Sequence, residues 1–419
     1  MINMKKVYIY FNDYNQDKLL GYLYIDNIKG SEIYSFEYAE SAIINKLTNI
    51  IQDDEIQPIL GRQFKSNSKE IYGFLKDCCP DRWGRNLIRR NEAIIAKLEN
   101  RKPRQLLESD YLLNISDYSR MGALRFKLDP DGEYLGNQSN EVPPLVFLSK
   151  LENAAYDKEL DDEDIQLLLS PGSSLGGSRP KATIKDSSNN IWLAKFPNKD
   201  DDYDISGYEM VANDLAKLIG LNVPETKLTK LSNHGYTFLV KRFDRDKENR
   251  FFYASFMTLL NATNGESSDY SYLDIVSKLR ELSSNPKEDL LELFKRVALS
   301  IIIHNHDDHL RNHGMLLKDK KWTLAPIFDI NPTYETNNLS LSIDGFDSSY
   351  SLKTLLNTSK FYMIEEKEGQ EIINKIIEIV RRNFLNLCEK YRLPNFLNKT
   401  FYNELTLKIE SYLYNKSSN

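Results

Sequence analysis

The stretch Ile301–Pro332, IIIHNHDDHLRNHGMLLKDKKWTLAPIFDINP, constrains this chain more than any other part of it. It holds His304, His306, His309 and His313, four of the five histidines, together with the adjacent Asp307 and Asp308. Asn312 follows five positions after the first aspartate, and Asp329 stands between two apolar residues. An apolar run at helical spacing, Leu290 to Ile303, leads in. HGMLL and KWTLAPI then alternate like strands around a Lys-Asp-Lys-Lys turn. Helix, polar loop, hairpin and carboxylate make a frame on which a phosphotransferase would hold a base and two metal ligands.

Three chemistries compete for this stretch. In phosphoryl transfer a catalytic loop places a base aspartate five residues before a metal-binding asparagine, and a second metal-binding aspartate comes a hairpin later. Asp307, Asn312 and Asp329 have that order. A hydrolytic zinc site is suggested by His304, His306, Asp308 and His309, which spell His-x-His-x-Asp-His. That site needs further histidine ligands, yet none follows His313 and only His234 precedes the cluster. Helix capping and a solvated loop would explain any one of these residues, but not the whole set.

At 419 residues the chain is long enough for two or three domains. Apolar residues at 41% and charged ones at 28%, with no run of eighteen apolar residues, indicate a globular protein with no membrane span. The start, MINMKKVYIYFND, lacks an apolar signal region, so a cytoplasmic location is expected. Three cysteines, two of them adjacent at Cys78 and Cys79, exclude a disulfide framework and a cysteine metal site. A net charge of -6 argues against nucleic-acid binding by the chain as a whole. Charge is uneven all the same: Arg82 to Arg104 carries eight basic residues against two glutamates. Such a run is either a solvated helix face or a dock for an acidic partner.

KVYIYF and LLGYLYI near the start alternate as antiparallel strands with one wet face. Ala39 to Ile51 and Ile71 to Asp77 have helical spacing, and PDRWGRNLIRR resumes as a basic helix. In YLLNISDYSRMGALRF a polar turn leads to a short strand. No phosphate loop or nucleophile occurs in this part, which reads as a scaffold or regulatory subdomain over residues 1–135. A Gly, Pro, Asn and Asp-rich linker, Leu128 to Pro144, and an acidic helix, about Leu145 to Leu169, follow.

Next comes SPGSSLGGSRPKATI, in which Ser174, Gly176 and Gly177 would let backbone N–H groups approach phosphate while Arg179 and Lys181 add charge. In the strand NIWLAKF, Lys195 has apolar neighbours, and a buried lysine needs an anion such as a nucleotide phosphate. The strand YTFLVKRFD, Tyr236 to Asp244, carries Lys241 and Phe243 and ends where a kinase hinge would pass the adenine. From Phe251 onward the pattern is helical. The expected fold class is therefore α+β, with a small β-rich lobe over 145–245 and a mostly helical lobe over 246–419.

These residues also resemble the HipA family, the serine/threonine kinase toxins of bacterial toxin–antitoxin pairs, over nearly the whole chain. PDRWGR and MGALRF are similar to the family's N-terminal domain, SSLGGSRPKA to its phosphate loop, LAKFP to its ATP lysine strand and FLVKRFDR to its hinge. NHDDHLRNHG resembles its catalytic loop and APIFDINP its metal aspartate. The resemblance implies a protein-kinase-like bilobal fold behind an N-terminal β-rich α/β subdomain. It also implies ATP and Mg²⁺ as cofactors. Asp307 would be the base and His309 a residue ordering the loop. Asn312 and Asp329 would be the Mg²⁺ ligands, and Lys195 the phosphate contact. Ser174, beside Ser173, matches the position of autophosphorylation. The implied substrate is a protein, in the family an aminoacyl-tRNA synthetase. The implied partner is a small helix-turn-helix antitoxin, HipB-like, through which alone DNA would be met. This chain departs from the best-known members at Arg179-Pro180-Lys181-Ala182, where they have Gln-Glu-Lys-Thr, and at Lys241, where the hinge usually begins with a carboxylate. A catalytically weak kinase-fold module working with a DNA-binding antitoxin is the alternative, with a zinc hydrolase behind it.

Overall fold

The alternating residues at the start of the chain build an antiparallel sheet of β1 (Asn3–Asp13), β2 (Gln16–Ile28), β3 (Ser31–Tyr38), β4 (Gln63–Phe64) and β5 (Leu124–Lys127) in the order β4-β3-β2-β1-β5. Val7, Ile9, Leu23, Ile25 and Phe36 are buried on one face. On the other, Tyr8 pairs with Tyr22 and Lys6 with Tyr24, and the Lys6 ammonium lies 3.9 Å over the Tyr22 ring. Gly21 opposite Ile9 is required, because a Cβ there would come within 2.7 Å of the Phe36 ring and closer still to the Glu37 carbonyl oxygen.

This computed structural model describes residues 3–14, 16–28, 30–65, 70–136, 143–156, 162–169, 179–263, 267–333 and 338–417. The chain divides into two compact units, one of Met1–Lys199, Lys241–Ala254 and Leu316–Lys318, the other of Asp200–Val240, Ser255–Met315 and Asp319–Asn419.

In the first unit Asp81 caps the helix Arg82–Leu98 by accepting from the Gly84 N–H at 2.8 Å. The same carboxylate takes the Lys181 ammonium at 2.8 Å, and the Trp83 indole N–H donates to the Lys181 carbonyl at 3.2 Å. The motif PDRWGR thus fastens its helix to the hairpin of β6 (Lys181–Lys185) and β7 (Ile191–Lys195). Two expectations change in detail. Ala39 to Ile51 is not one helix but a short helix, Glu40–Ile44, and a 3₁₀ turn, Leu47–Ile50, separated by Lys46 in the left-handed region (φ 55°). YLLN belongs to a helix, Glu108–Asn114, rather than to a turn.

The second unit is mostly helical. Asp204 and Gly220 (φ 81°) bracket the helix Ile205–Ile219, which precedes the hairpin of β8 (Thr226–Thr229) and β9 (Thr237–Lys241). A Ser271/Asp274 capping box starts Tyr272–Leu282, and Pro286 opens Pro286–Ile303 at the position where proline costs nothing. The latter helix buries Leu290, Leu293, Phe294, Val297 and Ile301, so it runs through the core of its unit. Glu366–Lys390 and Asn395–Ser417 complete the set. Among the described residues no helix is long and apolar enough to cross a membrane.

Candidate functional site

The buried helix Pro286–Ile303 ends on His304, whose φ of 54° and ψ of 48° turn the chain into the polar loop. The His304 ring stacks on Tyr350 (4.4 Å, 9°), and its carbonyl accepts from the Thr333 hydroxyl at 2.6 Å. Asn305 Oδ1 accepts from the Asn331 N–H at 3.1 Å. His306 Nδ1 lies 2.6 Å from the Asn338 carbonyl, and His313 Nε2 lies 2.8 Å from Asp308. Three of the four histidines are therefore anchored on three different partners. Among the described residues no group of three or more His, Cys, Asp and Glu side chains comes together to hold a metal.

Adjacent aspartates have opposite fates. Asp308 is buried and accepts from the Tyr272 hydroxyl (2.6 Å) and the Ser300 hydroxyl (2.9 Å), with His313 on its other oxygen. Burial pushes its carboxyl up, but His313, Tyr272 and Ser300 outweigh burial and hold it below the usual carboxylate range. Burial and the Asp308 carboxylate together drive the Tyr272 phenol far up, so it remains a donor. With Asp308 riveted inward, Asp307 points out, its side chain 78% exposed. The surrounding loop still crowds that carboxylate enough to raise its pKa; His309 pulls the other way, and the Asp329 charge raises it further. His309 Nε2 stands 3.8 Å from Asp307 Oδ1.

Asn312 closes the loop by donating its amide N–H to the Asp307 carbonyl at 2.7 Å. Its Oδ1 is buried and accepts no hydrogen bond from the described residues. A buried oxygen left this way costs about 1–3 kcal/mol unless a cation or donor meets it. Asp329, half-buried, sits at φ 58°, a left-handed conformation that costs a residue with a side chain about 1–3 kcal/mol. Asn331 donates its side-chain N–H to Asp329 Oδ1 at 3.3 Å. One unit thus brings Asp307, His309, Asn312 and Asp329 to neighbouring loops, and carboxylate and amide oxygens are the donors a hard cation such as Mg²⁺ takes.

The other unit holds the remaining described candidates. Lys195, buried, pairs in register with Lys181 across the β6–β7 hairpin. Lys181, expected beside phosphate, instead spends its ammonium on Asp81 in a buried ion pair. Arg179 donates to the Phe196 carbonyl at 3.2 Å. Lys241 and Phe243 are half-buried, the Phe243 ring 5.9 Å from that of Tyr253. Between them Arg242 is fully buried and donates to the Ser119 and Arg120 carbonyls (2.7 and 2.9 Å) and to Asp244. Ser173, Ser174, Gly176 and Gly177 lie outside the described residues. Tyr272, Ser300, Asn305, Asn331 and Thr333 are supporting residues that sequence reasoning does not single out.

Residues 173–384 match the family described as the HipA-like C-terminal domain. The HipA of Shewanella oneidensis MR-1, solved with HipB and its operator DNA, superposes with a TM-score of 0.70 over 97% of each chain at 15% identity. That likeness shows the fold, the α+β protein-kinase-like one expected from the sequence. Two curated proteins match a shorter part. The Sinorhizobium fredii protein named "Putative kinase Y4dM" is 24% identical over 157 residues, 34% of this chain and 37% of its own. A Haemophilus influenzae Rd protein of the same kind of name is 29% identical over 145 residues, 30% of this chain and 42% of its own. The chain thus spans less than half the length of these relatives.

Proposed function

Because this chain belongs to the HipA-like C-terminal domain family, we propose that it is a kinase that transfers the γ-phosphoryl of ATP to a serine or threonine hydroxyl of a cellular protein. The observation that carries this reading is the arrangement around Asn312: an amide oxygen buried without a donor, tied through its own N–H to the Asp307 carbonyl. Asp329 lies near enough for its charge to raise the Asp307 pKa. A buried amide oxygen without a donor suits a magnesium nucleotide.

In this mechanism Asp307 orients the incoming hydroxyl and accepts its proton. His309 steadies the Asp307 carboxylate from 3.8 Å. Asn312 and Asp329 would hold Mg²⁺, which when bound neutralises charge on the β- and γ-phosphates. Lys195 would meet phosphate oxygens, Ser174, Gly176 and Gly177 would offer them backbone N–H groups, and Lys241 and Phe243 would meet the adenine. Lys181 contributes by holding the strand after the glycines to Asp81. The family resemblance adds autophosphorylation at Ser174, an aminoacyl-tRNA synthetase as target and a HipB-like antitoxin that alone meets DNA.

Incubation with labelled ATP and Mg²⁺ tests the reading. Wild type should label itself or an added lysate protein, and Asp307→Asn should lose about 10²- to 10⁴-fold of that rate while still binding nucleotide. No label in wild type would favour a kinase-fold regulatory module. Near-normal labelling by the variant would take the base assignment away from Asp307.

A further inference from the structure

Resting on the phosphoryl-transfer reading, we propose that Asn331 is a further ligand of the divalent cation, adding its side-chain oxygen to those of Asn312 and Asp329. Asn331 Oδ1 is buried and has no hydrogen-bond partner among the described residues, as is true of Asn312 Oδ1. The orientation of the Asn331 amide is fixed by chemistry. Its nitrogen faces Asp329 Oδ1 at 3.3 Å, and a carboxylate oxygen can only accept. Turning the amide over would set oxygen against oxygen. The Asn331 backbone is held as well, its N–H on Asn305 Oδ1 at 3.1 Å, two residues before Asp307.

The pattern repeats around the site. Each of two asparagines is fastened by its N–H₂ to one of the two aspartates, Asn312 to the Asp307 carbonyl and Asn331 to the Asp329 carboxylate. In each, the carbonyl oxygen is left in a buried place without a donor. A partial negative charge beside carboxylates and away from water is unfavourable unless something positive sits there. No cationic side chain hydrogen-bonds either oxygen among the described residues. A hard cation that takes only oxygen ligands would satisfy such oxygens, and a third protein oxygen would replace one of the waters Mg²⁺ otherwise keeps.

The test is direct metal binding by the full-length protein. Mn²⁺ is titrated against wild type, Asn331→Ala and Asn331→Asp in the presence of a saturating β,γ-imido analogue of ATP, with free Mn²⁺ read by electron paramagnetic resonance. Thermal melts check that each variant is folded. A ligand role predicts that Asn331→Ala weakens Mn²⁺ about 10- to 100-fold. It also predicts that Asn331→Asp, which keeps the oxygen but loses the N–H₂, binds at least as tightly as wild type. Unchanged affinity in Asn331→Ala overturns the proposal. So does equal weakening in both folded variants, since Asn331 would then only hold Asp329 in place. Absence of nucleotide-dependent Mn²⁺ binding in wild type would instead bring down the phosphoryl-transfer reading, and this inference with it.

Discussion

Asp307 and Asp308 differ by one position, and everything asked of the loop depends on their being treated differently. Asp308 takes the Tyr272 and Ser300 hydroxyls and His313 in the interior, which leaves Asp307 facing water. Replacing Asp308 by Asn would remove the carboxylate that the Tyr272 and Ser300 hydroxyls donate to in the interior, and about 1–3 kcal/mol of stability should go, measured by urea unfolding. Tyr272→Phe removes a single donor to that carboxylate. It should cost about 1–3 kcal/mol and lower kcat more than it raises KM for ATP, because the loop and not the nucleotide loses its support. The candidates Asp307, Asn312 and Asp329 came from type and spacing alone, at the intervals that phosphoryl transfer uses. Their supports did not. Tyr272 reaches Asp308 across 36 positions and Asn331 reaches Asn305 across 26, and nothing local in a sequence marks such a pairing.

Among elements, the segment after β9 is held by buried ion pairs. Asp244 accepts from Arg242 and Arg245 (2.7 Å each) and from the Gly122 N–H at 2.8 Å, and Asp117 pairs with Arg125 (2.8 Å) and Arg250 (2.6 Å). The motifs YSRMGALRF and FLVKRFDR, far apart in the chain, are two halves of one buried network. Burial raises both carboxyls, but the arginines outweigh it and bring Asp244 and Asp117 to about 2. Arg245 bears part of the opposing cost, since burial drives its own pKa well down. A depressed folded-state value means that this stability is present above the ordinary carboxylate range, near pH 4, and is lost as pH falls through about 2. Unfolding free energy should therefore drop steeply between roughly pH 4 and pH 2. Asp244→Asn should be less stable at neutral pH and show a shallower drop, as followed by urea titration at stepped pH. Helices with a capping residue and an apolar stripe were foreseeable, Arg82–Leu98 behind Asp81 being one. The break at Lys46 was not, because a left-handed lysine has no composition signal. Lys181 reads as a phosphate contact until its tertiary partner, Asp81, is known.

At the scale of the whole molecule, the two compact units hold different parts of the proposed chemistry. The unit containing Pro286–Ile303 carries Asp307, Asn312 and Asp329, and the unit containing the N-terminal sheet carries Lys181, Lys195, Arg242 and Phe243. The fold class was readable from a β-rich first half and helical second half, and likeness to Shewanella HipA over 97% of the chain agrees. Family membership rests on residues 173–384, while the first 135 residues, with their PDRWGR and MGALRF motifs, secure the strand of Lys181 and the segment of Arg242. Asp81→Asn, which leaves the Lys181 ammonium buried and unneutralised by Asp81, should thus lower the melting temperature and raise KM for ATP. The claim on which the rest depends is that Asp307 serves as base to a magnesium nucleotide held by Asn312 and Asp329. Intact-mass analysis of wild type, Asp307→Asn and Asn312→Ala after incubation with ATP and Mg²⁺ measures it most directly. The account predicts a gain of phosphate in wild type and none in either variant, and equal gain in all three proteins, or none in wild type, would contradict it.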